Sequence, residues 1–186
     1  RNYHFEDIWM KGVGLSGITL QAVDGSDMEN ISFKRVDMNN VDNVLFFCVG
    51  NRYRMPSGVD DSFKHLGRIR DITIEDLNYT NPLNHPYCHR ESDNVHEAMI
   101  LGLDPQKNTI NDGRDHRISN VLFKNVNLEM PGGYTTVPGF SGGIGSGYPE
   151  HTSVGESTGW AYTIRWADNI RFENCTNTLQ NADVRQ

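Results

Sequence analysis

A short unit is written five times along this chain: Asn or Asp, an apolar residue, a free position, Phe or Ile, two polar residues and another apolar one. The copies are NYHFEDIWM (2–10), NISFKRVDM (30–38), DITIEDLNY (71–79), NVLFKNVNL (120–128) and NIRFENCTN (169–177). A unit this small has no way to bury its own apolar face and must stack on copies of itself. The repetition therefore points to a solenoid.

In the second copy Ile31 and Phe33 share one face of a strand, Val36 follows three residues later, and Met38 two after that. A straight strand would put Val36 on the opposite face from Phe33, so a corner at Lys34-Arg35 is needed to turn both short strands inward. A helix fares worse, because at about 100° per residue these positions scatter round its axis. Phe33, Phe123 and Phe172 hold one repeat position and are expected to stack in the core. Between the copies lie further apolar runs, GITLQAV (17–23), NVLFFCV (43–49), AMILGL (98–103) and AYTIRW (161–166), each one more side of the same coil.

The copies begin at residues 2, 30, 71, 120 and 169, giving spacings of 28, 41, 49 and 49. The shortest is close to one bare turn, and the longer ones imply inserted loops. Segments 50–66, 79–97, 104–117 and 131–159 are rich in Gly, Pro, Asn, Asp and His and lack apolar periodicity. Insertions in a solenoid collect on one side and wall a binding surface. An all-β, parallel β-solenoid with long inserted loops fits better than a sandwich.

At 186 residues the chain is one domain. With 17 Lys and Arg against 24 Asp and Glu its net charge is −7, so no overall basic field exists to hold nucleic acid or an anionic membrane. Basic residues are gathered locally, at Arg52, Arg54, Arg68 and Arg70. No apolar run is long enough for a membrane-spanning helix. The chain opens inside a repeat copy and reads as part of a longer protein. Cys48, Cys88 and Cys175 are too few and odd in number for a disulfide scaffold, and Cys48 and Cys175 sit at strand positions as small hydrophobes.

Several clusters invite a chemical reading. His85, Cys88 and His89, with His96 nearby, are metal-ligand types, but one loop supplies them all, and no metal site is expected. GGIGSG (142–147) lacks the strand, helix and Lys-Ser/Thr of a phosphate-binding loop and reads as a flexible loop. Paired carboxylates suit the looped face of a solenoid, and Asp24 beyond 17–23 is a candidate, although Val23-Asp-Gly-Ser is also an ordinary turn. Tyr53, Tyr87, Tyr134 and Tyr148 fall in loops, where an aromatic ring serves either as a sugar platform or as packing against the coil.

The stretches GITLQAVDG (17–25), MENISFKRVDMNNV (28–41) and NVLFFCVGNR (43–52) follow one another in an order that resembles the later coils of bacterial glycoside hydrolase family 28, the polygalacturonase-like enzymes. The likeness continues through GRIRDITI (67–74), HRISNVLF (116–123), the Gly132-Gly133 pair, Tyr148-Pro-Glu150 and Asp183-Val-Arg185, covering nearly the whole chain. The resemblance implies a right-handed parallel β-helix of the pectin-lyase-like kind, of which residues 1–186 form the C-terminal coils. It also implies a secreted or periplasmic protein, and inverting hydrolysis of a pectin-like acidic polysaccharide without a cofactor. In such enzymes one carboxylic acid protonates the leaving oxygen while another carboxylate activates water. The resemblance puts the catalytic aspartates on coils N-terminal to this region, so the implied partners are a polysaccharide or oligosaccharide and those missing coils.

One departure matters. Galacturonan-cleaving members carry Arg-x-Lys on the strand aligned with 17–23, whereas here those positions are Thr19 and Gln21. Both point to one face and can hydrogen-bond a sugar, but neither is a cation. Arg52 and Arg54, beside Asn51 at the mouth of the next coil, are the candidate carboxylate clamp. A non-catalytic carbohydrate-binding β-helix is the main alternative. A polysaccharide lyase ranks lower, because the strands lack the clustered aspartates of a calcium site.

Overall fold

The sharp parity break at Lys34-Arg35 is a corner made by one residue in the left-handed backbone region. In a computed structural model, which describes residues 2–54, 57–58, 60, 65–81, 97–108, 112–140, 142–155 and 158–185, Arg35 has φ 55°. Its counterparts Asp7, Asp76, Asn125 and Asn174 have φ 57°, 56°, 53° and 51°. The residue that opens each copy does the same, with φ 62° at Asn2, 54° at Asn30, 58° at Asp71, 57° at Asn120 and 52° at Asn169. Asn and Asp tolerate this region better than other non-glycine residues because their short polar side chains bond locally. The sequence preference at the first and sixth positions is thus a backbone requirement.

Strands run through these corners. They are β1 (Tyr3–Ala22), β2 (Asp27–Val49), β3 (Arg68–Thr80), β4 (Ala98–Leu101), β5 (Ile118–Met130), β6 (Tyr162–Arg165), β7 (Ala167–Glu173) and β8 (Thr176–Leu179). All belong to one curled parallel sheet, ordered β6-β4-β2-β3-β5-β7, with β1 also on β2 and β8 also on β5. Among the described residues there is no α-helix, and a short 3-10 turn covers His151–Ser153.

Pairing follows the repeat. Phe5, Phe33, Ile74, Phe123 and Phe172 are successive register partners, and their rings stack at 4.9 Å for Phe5 on Phe33 and 5.1 Å for Phe123 on Phe172. Phe33 and Phe123 are buried, whereas Phe172, on the outermost strand of the column, is 44% exposed. On the far side of the corner Ile8, Val36, Leu77 and Val126 form a second aligned row. Each fully buried side chain of this size contributes about 1.5–3 kcal/mol, so both rows add substantially to cohesion.

A third ladder leaves the others after residue 41. Here β2 pairs with β4 and β4 with β6, while the end of β1 flanks β2, with Thr19 opposite Phe46 and Gln21 opposite Cys48. Its inward row includes Ile18, Leu20, Leu45, Phe47 and Ile100. The long insertions all adjoin this ladder: they follow β2, precede and follow β4, and precede β6. None interrupts the nine-residue unit.

Candidate functional site

The outward face of the third ladder is where the sequence places Thr19, Gln21 and the clamp beyond them. Alternation makes Phe46, Cys48, Met99 and Leu101 point away from the main core, and yet all four are fully buried. They form a second apolar cluster with Val23, Ile144 and Val154, against which Phe140 packs. The cover is the 140–155 segment. Gly145 accepts a hydrogen bond from the Asn51 amide at 2.9 Å, Gly143 accepts one from Lys107 Nζ at 2.7 Å, and Gln21 Nε2 donates to the Pro149 carbonyl at 2.5 Å. The expectation of a flexible loop at 142–147 is therefore corrected: Gly143, Ile144 and Gly145 are buried and pinned. The signal lay in NVLFFCV (43–49), an apolar run without alternation, as expected of a strand covered on both faces.

At the rim of this cover the chain forms a knot of charge. Arg52 meets Asp24 through two parallel contacts, Nη2 to Oδ2 and, at 3.1 Å, Nε to Oδ1. The Arg54 backbone amide adds a third bond to Asp24 Oδ1 at 2.8 Å. The hydrogen bond from Arg52 holds the Asp24 carboxyl below the usual carboxylate range, against a desolvation that pushes the other way and with help from the Arg54 amide. A carboxylate held charged in this way is a poor proton donor, and its work here is to orient Arg52. Two N–H groups of the guanidinium face Asp24, which leaves three of its five donors for another partner. The Tyr148 ring lies 6.0 Å from the guanidinium carbon and is 58% exposed.

The predicted residues divide accordingly. Thr19 is exposed and open to solvent on the same strand face as Gln21, which is half-buried with its amide engaged. Arg52 and Arg54 come together around Asp24, and Asn51 is buried, its Nδ2 donating to the Lys107 carbonyl at 2.6 Å. Asn51 thus ties the loop after β4 to the loop after β2, and Tyr148 emerges from the cover between them and solvent. Of the other tyrosines, Tyr53 packs against the main core and Tyr134 carries the Arg185 guanidinium at 3.8 Å. Tyr87 and the cluster of His85, Cys88, His89 and His96 lie outside the described residues.

Cys48, opposite Gln21, has its thiol pushed up to about 12 by burial and is unreactive at neutral pH. Among the described residues no three His, Cys, Asp or Glu side chains gather to hold a metal ion, and no helix is long and apolar enough to cross a membrane. Comparison with family models, with curated proteins and with solved structures finds no match for this chain.

Proposed function

We propose that the curled sheet is the C-terminal portion of a right-handed parallel β-helix, and that it forms part of the groove in which a polygalacturonase-like hydrolase cleaves a pectin-like acidic polysaccharide with inversion. The supporting observation is the Asp24-Arg52 knot under Tyr148, at the rim of the ladder that carries Thr19 and Gln21. A sugar carboxylate needs a cation with free donors, and Arg52 offers them from a fixed position. A sugar ring needs an aromatic face, which Tyr148 presents to solvent. Thr19 and the amide oxygen of Gln21 supply hydrogen bonds to hydroxyls.

In this reading the chain binds and orients, while the acid and base of the inverting mechanism belong to neighbouring coils of the same protein. Asp24 keeps Arg52 aimed at the substrate and takes no proton in the reaction. Loops beside the third ladder then set which sugars fit, as expected where insertions gather at one surface.

The test is direct. Arg52→Ala should weaken binding of oligogalacturonate about tenfold, the order expected when one charge-assisted pair is lost, measured by isothermal titration. Unchanged affinity removes Arg52 from the site. With the chain extended by its N-terminal coils, product analysis on pectin decides the chemistry: new reducing ends without near-ultraviolet absorbance support hydrolysis, an unsaturated absorbing product means a lyase, and binding without products means a carbohydrate-binding module.

A further inference from the structure

A second group of arginines lies beyond the turn that follows Asp24. On β3, Arg68 and Arg70 alternate with the fully buried Ile69 and so face outward together. On the adjacent strand β5, Ser119 is the register partner of Arg70, and Arg117 precedes the buried Ile118. Arg114 joins them from a stiffened turn, in which Asp112 Oδ1 accepts from the Arg114 amide at 3.1 Å and lies 2.7 Å from Nε2 of the buried His116. The four arginines, with Ser119 and Asp115, line a cleft of about 260 Å³.

The cleft exists because its arginines are pulled apart. Arg68 leans toward β2, pairing with Asp27 at 2.8 Å, and Arg70 leans the same way to Glu29 at 2.8 Å. Arg117 leans in the opposite direction, to Asp168 next to β7's first residue, also at 2.8 Å. Asp27, Glu29 and Asp168 thus draw the guanidinium groups outward, Asp115 stays in the lining at 3.9 Å from Arg117 Nε, and the unused N–H donors border the gap. Arg70 and Arg117 side chains are 42% and 50% exposed, so an incoming ligand can reach them. Among the described residues Arg114 makes no close ion pair, and its charge adds to that of Arg68 in favouring the Asp27 carboxylate.

We propose that this cleft is a second anchoring site for the carboxylates of an acidic oligosaccharide, distinct from the Arg52 rim; the proposal rests on the polysaccharide-binding reading above. Geometry links the two sites. Asp24 holds Arg52 and Asp27 holds Arg68, and the three steps of chain from Asp24 to Asp27 span at most about 11 Å. A strip of arginines, whose charges are matched by Asp24, Asp27, Glu29 and Asp168 but whose remaining N–H donors are unused, therefore runs from the Tyr148 rim over the Asp24–Asp27 turn into the cleft. A polymer with one carboxylate per sugar can follow such a strip. A single small anion would gain from only one end of it.

The full chain should be titrated with oligogalacturonate long enough to cover both sites, with its methyl-esterified form, and with a sulfated oligosaccharide of equal charge. Arg114→Ala, which breaks no ion pair among the described residues, and the double variant Arg70→Ser with Arg117→Ser should bind oligogalacturonate about tenfold and about a hundredfold more weakly, in line with loss of one and of two charge-assisted contacts. Arg114→Ala should keep the wild-type melting temperature. Esterified ligand should bind wild type and variants alike. If wild type binds oligogalacturonate and both variants bind it equally well, the cleft proposal is overturned while the polysaccharide reading stands. If wild type binds no oligogalacturonate, both fall. Tighter binding of the sulfated ligand, lost in the same variants, would overturn the assignment to carboxylates.

Discussion

Single side chains at the corners hold successive repeat copies together. Asn120 donates to Asp71 at 2.8 Å and Asn169 to Asn120 at 2.7 Å, while Asn125 donates to Asp76 at 2.7 Å and Asn174 to Asn125 at 2.9 Å. An Asn at such a corner therefore suits a left-handed backbone and bonds the repeat copies on either side. At the oldest corner in chain order the ladder is ionic instead, Arg35 reaching Asp7 at 2.6 Å and Glu6 at 2.7 Å. We expect Asn125→Ala to cost about 2–4 kcal/mol, from an unfavourable φ of roughly 1–2 kcal/mol and two lost hydrogen bonds. Asn125→Gly should recover about 1 kcal/mol of this by relieving the backbone. Urea denaturation of the pair checks it, and equal stability of the two variants would contradict the account. These corners were legible in the sequence, since the parity break between Phe33 and Val36 demands a bend. The ionic partners were not, because Asp24 and Arg52 meet only through the offset of 28 residues between turns, and Asp24 alone looks like a candidate acid.

Among the elements, the third ladder departs most from a simple alternating strand. Its inward face belongs to the main core and its outward face to the cluster under 140–155, so β2 and β4 are sandwiched near their ends. Position along the run 43–49 was readable, but its cover was not. A glycine-rich loop has no periodicity to announce what it packs on, and the glycines serve close approach: a Cβ on Gly143 would come within 3.0 Å of the Trp166 ring. Ile144 is the plug of this cover. Ile144→Ala should lower stability by about 2–3 kcal/mol, toward the low end for a buried aliphatic truncated at a loop. It should also speed proteolytic cleavage within 140–155 well before the ladders unfold. Cleavage no faster than in wild type would mean that the loop is held by its backbone bonds alone.

For the whole molecule, an order of strands in which every pairing is parallel leaves outer edges. Among the described residues β1 pairs as a strand with β2 alone, and it carries Tyr3 at 56%, Phe5 at 43%, Trp9 at 70% and Leu15 at 44% exposure. An extended edge with exposed apolar side chains invites pairing with another strand. In residues 1–186 taken by themselves, without the preceding coils of the proposed reading, Trp9→Lys combined with Leu15→Lys should reduce concentration-dependent association, measured by light scattering, without changing the melting temperature by more than a few degrees. Persistence of association in the double variant would move its cause elsewhere.

Insertions never enter the nine residues that make two sides and the corner between them, whereas the stretches around the third ladder vary freely in length. The molecule therefore separates a fixed chassis from exchangeable parts. A designer wishing to redirect it toward another ligand can lengthen, shorten or replace the segments beside β4 and β6 while leaving every amide ladder untouched.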